Sequence, residues 1–155
     1  TNPAGANVQV LGVYDKDLTP VLAEVLNRLG SRSAFVVHGE DSLDEISITG
    51  PTFVSELKDG AVSTYTIDPE DFGLPRASID EIKGGDANEN AQIVLKVLQG
   101  EPGAKRDIVL LNAAAALVAA GQASGFSEGI KQAAEAIDSG QAMKKLEALK
   151  EITTR

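Results

Sequence analysis

The strongest constraint on the fold is a strand–helix–strand pattern near the start of the chain. Val8-Gln9-Val10-Leu11-Gly12-Val13 is a short, β-branched apolar run that suits a buried strand. Between Asp15 and Gly30, Leu18, Val21, Leu22, Val25, Leu26 and Leu29 recur at spacings of three and four, which predicts a helix with one apolar face. Asp17 or Thr19 can cap its start, Pro20 suits its first turn and Gly30 can close it. Ser33-Ala34-Phe35-Val36-Val37-His38 reads as a second buried strand. Two strands joined by a crossover helix run parallel in one sheet, with a right-handed connection. The expected class is therefore α/β.

Downstream the pattern changes. Gly39-Glu40-Asp41-Ser42-Leu43-Asp44-Glu45 is a polar, acidic loop. Thr52–Leu57 and Ala61–Ile67 alternate apolar and polar residues around Lys58-Asp59-Gly60, and Asp-Gly between two such runs predicts a hairpin. Asp68–Pro75 reads as a loop with two prolines. The rest is helical in pattern. Asp86 with Glu89 forms a capping box ahead of a helix through Leu98, with Ile93, Val94, Val97 and Leu98 inward. Lys105–Gly121 is apolar nearly all round and is expected to lie centrally. Ser127–Ser139 and Gln141–Ile152 are two further amphipathic helices, the second with Met143, Leu146, Leu149 and Ile152 inward. The sum is a partial mixed or parallel sheet with flanking helices, and an edge strand left exposed. Thr1-Asn2-Pro3-Ala4-Gly5 carries no initiator Met and no signal-peptide pattern, and reads as the continuation of a longer chain.

Composition removes several functions. With 14 Lys and Arg against 23 Asp and Glu, the net charge of −9 gives no general attraction to nucleic acid or anionic membrane. The absence of cysteine excludes disulfides, thiolate catalysis and Cys-ligated zinc. The longest apolar run, around Ile108–Ala120, is broken by Asn112 and falls short of the ~20 residues of a membrane span. There is no Walker A, no G-x-G-x-x-G and no G-x-S-x-G.

Four places could carry chemistry. His38, the only histidine, ends a predicted parallel strand, where open α/β sheets place ligands. It reads either as a substrate contact or proton carrier, or as a hydrogen-bonded residue closing the strand. Glu40, Asp41, Asp44 and Glu45 repel one another. They suit either a solvated surface loop or a cation, since Mg²⁺ takes one or two carboxylates with waters and phosphate oxygens. Gly84-Gly85-Asp86 opens a helix and could either offer N–H groups to an anion or simply make a turn. Asn112, in an apolar helix, needs partners, and reads best as a satisfied core hydrogen bond.

Taken in order, Thr1-Asn2-Pro3-Ala4, Val10-Leu11-Gly12-Val13, Val37-His38-Gly39 with Leu43-Asp44-Glu45, Asp71-Phe72-Gly73-Leu74, Gly84-Gly85-Asp86-Ala87 with Glu89-Asn90-Ala91, Leu110-Leu111-Asn112-Ala113-Ala114 and Ile137-Asp138-Ser139-Gly140 resemble the anthranilate phosphoribosyltransferase family along essentially the whole chain. Enzymes of that family are about twice as long. The resemblance implies that residues 1–155 form the C-terminal portion of one α/β catalytic domain of the nucleoside phosphorylase/phosphoribosyltransferase type. The N-terminal helical domain, the start of the α/β domain and the glycine-rich pyrophosphate loop would then lie outside this chain. So would most anthranilate contacts and the usual homodimer interface.

The activity implied is transfer of the 5-phosphoribosyl group from phosphoribosyl pyrophosphate (PRPP) to anthranilate, in cytoplasmic tryptophan biosynthesis. It is Mg²⁺-dependent and involves no covalent enzyme intermediate. By resemblance the family's magnesium-holding acidic pair falls on Asp44 and Glu45, and Asn2 and Pro3 match a segment beside the anthranilate channel. Glu40, Asp41 and His38 receive no role from it. An acidic pair without basic counterparts cannot bind a polyanion well, so the 155 residues alone are expected to be inactive. Two other readings remain at this point. One is a pyrimidine nucleoside phosphorylase-like enzyme of the same superfamily. The other is a non-catalytic module that keeps the fold.

Overall fold

The computed structural model describes residues 5–154. Strand β1 (Val8–Gly12), helix α1 (Leu18–Arg28) and strand β2 (Ser33–Gly39) form the expected βαβ unit, with β1 and β2 parallel and Val10 opposite Phe35. Strands β3 (Thr52–Lys58) and β4 (Ala61–Ile67) form the expected hairpin. The hairpin does not stand apart: β3 pairs antiparallel with β2, with Val54 opposite Val37, so the sheet is four-stranded and mixed in the order β1-β2-β3-β4. Asp59 and Gly60 take the turn with φ of 51° and 77°, the left-handed backbone that a two-residue hairpin requires.

Both faces of the sheet are covered. Ala34, Val36 and Leu57 pack against Ala23 and Leu26 of α1. Phe35, Val37 and Val54 face Leu111, Ala115 and Ala119 of helix α4 (Ala104–Ala119) on the other side. Helix α4 is central, as its apolar composition predicts. Its opposite surface packs through Leu110 on helix α3 (Ala87–Leu98), at Val97, and on helix α5 (Phe126–Asp138), at Ala133 and Ile137. Gly129 makes the close crossing possible, because a Cβ there would lie 2.8 Å from Cα and Cβ of Ala114. Helix α6 (Gln141–Thr153) follows α5 and packs against it.

Several expectations need correction. The apolar stripe of α1 is wider than its buried face: Val21, Val25 and Leu29 are exposed, and the buried side is completed by Thr19, whose Oγ1 accepts from Ser55 Oγ. Asp17 occupies the cap position of α1, but neither it nor Thr19 makes a side-chain cap. Val94, Leu149 and Ile152 are likewise exposed. The segment read as a loop after β4 contains a 3₁₀ turn at Pro69–Phe72, and a short helix α2 (Ile79–Ile82) precedes α3. Among the described residues β1 pairs only with β2 and is a sheet edge, as expected.

Candidate acidic site at the strand ends

The carboxyl ends of β1 and β2 open onto the loop that carries Asp44 and Glu45. The loop begins as a tight turn: Gly39 N–H donates to the Leu43 carbonyl at 2.8 Å and Ser42 N–H donates to the Gly39 carbonyl at 2.9 Å. Ser42 pivots it with a φ of 72°. Asp41 braces it from inside. Its Oδ1 accepts from Leu43 N–H at 3.2 Å, and its Oδ2 accepts from Ser47 Oγ at 2.5 Å and from the Thr49 hydroxyl. After Glu45 the chain turns inward, and Ile46 and Ile48 are fully buried.

Two features from outside the loop hold that inward turn. Asn112 of α4 accepts from Ile46 N–H at 3.0 Å and donates to the Ile46 carbonyl at 2.8 Å, and its amide also donates to the Ile108 carbonyl at 3.0 Å. Its expected role as a satisfied hydrogen bond stands, and its partner is the loop backbone. Gly12, at the end of β1, lets the Asp44 backbone pass, since a Cβ there would overlap the Asp44 carbonyl. Nothing in the sequence signals that approach beyond the glycine itself.

The two carboxylates at the crest are exposed and lie in none of the ion pairs among the described residues. Partial withdrawal from water raises the Glu45 carboxyl above its ordinary value, and the charges of Asp44 and Asp41 add to this. Asp41 behaves in the opposite way. Burial works to raise it, but the Ser47 and Thr49 hydroxyls and the Leu43 N–H outweigh that and hold it low. Among the described residues no three His, Asp or Glu side chains converge as a complete metal cage. A cation at Asp44 and Glu45 would take the rest of its shell from water or a ligand's oxygens, which is the habit of Mg²⁺ rather than of a structural ion.

Glu45 also faces a cleft of about 390 Å³, walled by Ile82, Gly84, Ile93, Val97 and Ile108. The far wall is fixed by Lys105, whose Nζ donates to the Lys83 carbonyl at 2.6 Å. The Gly84–Asp86 segment is an irregular connection leading into α3. Asp86 Oδ1 takes the N–H groups of Asn88 and Glu89, and Asn90 Oδ1 takes that of Gly85, so the donors an anion would need are occupied. The capping box of Asp86 and Glu89 is formed as expected. His38 is buried, with Nδ1 2.8 Å from the Val13 carbonyl and its ring stacked on Phe53. Because a carbonyl only accepts, Nδ1 carries the proton there. The histidine thus ties the end of β2 to the exit of β1. Asn2 and Pro3 lie outside the described residues.

The profile of a glycosyl transferase family, described as its a/b domain, matches residues 1–143. The anthranilate phosphoribosyltransferase of Thermoanaerobacter sp. (strain X514) is 57% identical over 155 residues, covering 100% of this chain and 46% of that protein. The anthranilate phosphoribosyltransferase of Desulfatibacillum aliphaticivorans is 57% identical over 153 residues, covering 99% of this chain and 45% of its own length. Among solved structures, anthranilate phosphoribosyltransferase from Thermus thermophilus superposes with a TM-score of 0.86 at 39% identity, over 96% of this chain and 44% of that one. The Saccharomyces cerevisiae enzyme in complex with PRPP and Mg superposes with a TM-score of 0.81 at 32% identity, over 90% of this chain and 41% of that one. The chain therefore spans about half the length of the relatives it matches. With the mixed sheet, the flanking helices and the profile match in agreement, the chain belongs to the glycosyl transferase family through that family's α/β domain.

Proposed function

We propose that a longer protein carrying this chain transfers the 5-phosphoribosyl group of PRPP to anthranilate, yielding N-(5-phosphoribosyl)anthranilate and pyrophosphate. In this reading residues 1–155 are the C-terminal portion of its catalytic domain. The observation that carries the proposal is the exposed Asp44–Glu45 pair, held at the carboxyl ends of β1 and β2 in a chain 57% identical to anthranilate phosphoribosyltransferases. Two adjacent carboxylates that repel each other and have no cationic partner among the described residues fit a hard divalent ion shared with phosphate oxygens.

Mg²⁺ bound there would neutralise charge developing on the departing pyrophosphate. The chain's own task is to hold the two carboxylates in register. Gly12 admits the loop, Asp41 braces its turn and Asn112 fixes its return. The donors that cradle the phosphates are assigned to the part of the longer protein outside this chain.

The test is the double change Asp44→Asn with Glu45→Gln in the longer protein. Mg²⁺-dependent use of PRPP, followed by the loss of anthranilate fluorescence, should fall by more than the roughly ten- to hundredfold seen when only an outer-shell partner of a metal ligand is changed. Folding should be retained or slightly improved, because two like charges are removed. Unchanged PRPP use across the Mg²⁺ range would remove the metal role from the pair.

A further inference from the structure

We propose that Asn112 is a positioning residue for the Asp44–Glu45 pair, acting through the Ile46 peptide, with Asp41 as its counterpart on the other side of the pair. The proposal rests on the magnesium reading of Asp44 and Glu45 given above. Its basis is where the fixed points fall. Leu43 N–H is held by Asp41 Oδ1, and both the N–H and the carbonyl of Ile46 are held by the Asn112 amide. Between those anchors lie only Asp44 and Glu45. The anchors also differ in origin. Asp41 belongs to the loop, whereas Asn112 lies 66 residues from Ile46, in the middle of the helix packed against the sheet.

The chemistry of the contact selects asparagine. One side-chain oxygen accepts from Ile46 N–H while one NH₂ group donates to the Ile46 and Ile108 carbonyls, so the amide completes the Ile46 peptide as a neighbouring strand would. Leucine has similar volume and offers neither group, which leaves a buried N–H and carbonyl unpartnered. Aspartate would keep an acceptor but turn a carboxylate oxygen toward two carbonyls. On the Asp41 side, asparagine can still accept from Leu43 N–H, and its NH₂ can donate to the Ser47 and Thr49 hydroxyls with their roles reversed. Asp41→Asn should therefore preserve the brace, and Asp41→Ala should not.

The experiment has two readouts. The first is amide exchange on the longer protein without metal. Asn112→Leu should lose protection at Ile46 and Asp41→Ala at Leu43, while the β2 amides of Val36 and Val37 stay protected. The second is Mg²⁺-dependent PRPP binding by calorimetry. Asn112→Leu and Asp41→Ala should each raise the half-saturating Mg²⁺ concentration by about tenfold, the lower end seen for outer-shell partners of metal ligands. Asp41→Asn should stay near wild type, and KM for anthranilate should not move. Adding Asn112→Leu to Asp44→Asn/Glu45→Gln should change Mg²⁺ dependence no further.

If Asn112→Leu does not fold, Asp41→Ala carries both readouts. Normal Mg²⁺ dependence in that variant, alongside a defect in Asp44→Asn/Glu45→Gln, would overturn the positioning role and spare the magnesium reading. If Asp44→Asn/Glu45→Gln is itself unaffected, the magnesium reading fails first and the positioning role falls with it. A loss in Asp41→Asn as large as in Asp41→Ala would mean that Asp41 acts by its charge, and would overturn its place as a brace.

Discussion

Ser42 holds the turn of the acidic loop with a φ of 72°, a conformation that costs an L-residue roughly 1–2 kcal/mol. Its side chain is exposed, and the turn is closed by its backbone, the Ser42 N–H donating to the Gly39 carbonyl, a bond that glycine keeps. Glycine would relieve the strain while losing about 0.5–1 kcal/mol to backbone entropy. Ser42→Gly should therefore be net stabilising by about 0.5–1 kcal/mol, a rise in Tm of roughly 1–4 °C for a chain of this size. A melting temperature that is unchanged or lower would show that the hydroxyl contributes more than its exposure suggests. Single residues also mark where the sequence stops being legible. The acidic cluster of Glu40, Asp41, Asp44 and Glu45 and the lone Asn112 stand out by chemistry alone, whereas the choice of Asp44 and Glu45 within the cluster rests on the resemblance. What Asn112 touches does not, because its partner lies 66 residues away and no local pattern encodes that distance. Asp41 looks like one more carboxylate of a solvated cluster until the Ser47 and Thr49 hydroxyls are seen on it. Likewise, Gly12 is indistinguishable from any strand-end glycine before the Asp44 carbonyl is placed against it.

At the level of elements, legibility follows length and period. Strands β1 and β2, the hairpin and the longer helices are all readable, because each repeats its pattern several times. The 3₁₀ turn at Pro69–Phe72 and α2 span four residues each, too few for a helical period to show. The buried face of α1 departs from its apolar stripe for another reason. Thr19 is polar by type, yet it is buried with its hydroxyl accepting from Ser55, so the buried face runs through Thr19, Ala23 and Leu26 and leaves Val21 and Val25 exposed. The 3₁₀ turn supplies a pH prediction. Asp68 caps it, accepting from Glu70 N–H at 3.1 Å, and also accepts from the Arg76 guanidinium. The hydrogen bond from Arg76 is the main reason the Asp68 carboxyl sits below its ordinary value, with burial opposing it. A carboxyl with a folded pKa below its unfolded one stabilises the fold above the unfolded value, about 4, and loses that contribution as pH falls through the folded value. Wild type should therefore melt above Asp68→Asn at pH 7, and the gap should narrow on acidification below about pH 4. A gap constant from pH 7 to pH 2 would assign the effect to cap geometry rather than to charge.

For the whole molecule the decisive quantity is charge. The substrate proposed is a polyanion, and the chain carries a net charge of −9. Several of its cations are already engaged: Arg28 with Glu24, Arg76 with Asp68 and Glu70, Lys96 with Glu101, and Arg106 with Asp138. Lys16 lies over the Phe53 ring, with Nζ 5.3 Å from its centroid, and Lys105 is spent on the Lys83 carbonyl. Among the described residues Asp44 and Glu45 lie in no ion pair, and Lys83 and Lys105 are the cations that line the clefts Glu45 also faces, too few donors to match a diphosphate. A divalent ion held by Asp44 and Glu45 would not by itself hold a polyanion against that field. The inactivity proposed for the 155 residues alone follows from this shortage, as does the dependence on donors elsewhere in the longer protein. Purified as a homogeneous 16.1 kDa species and supplied with PRPP, Mg²⁺ and anthranilate, the chain should leave anthranilate fluorescence unchanged. The longer protein under the same conditions should consume it. Raising the salt concentration weakens repulsion by shortening its reach, but it supplies no donors, so it should not restore turnover to the isolated chain. Product formation by the 16.1 kDa species would mean that these residues hold both partners of the electrostatic match.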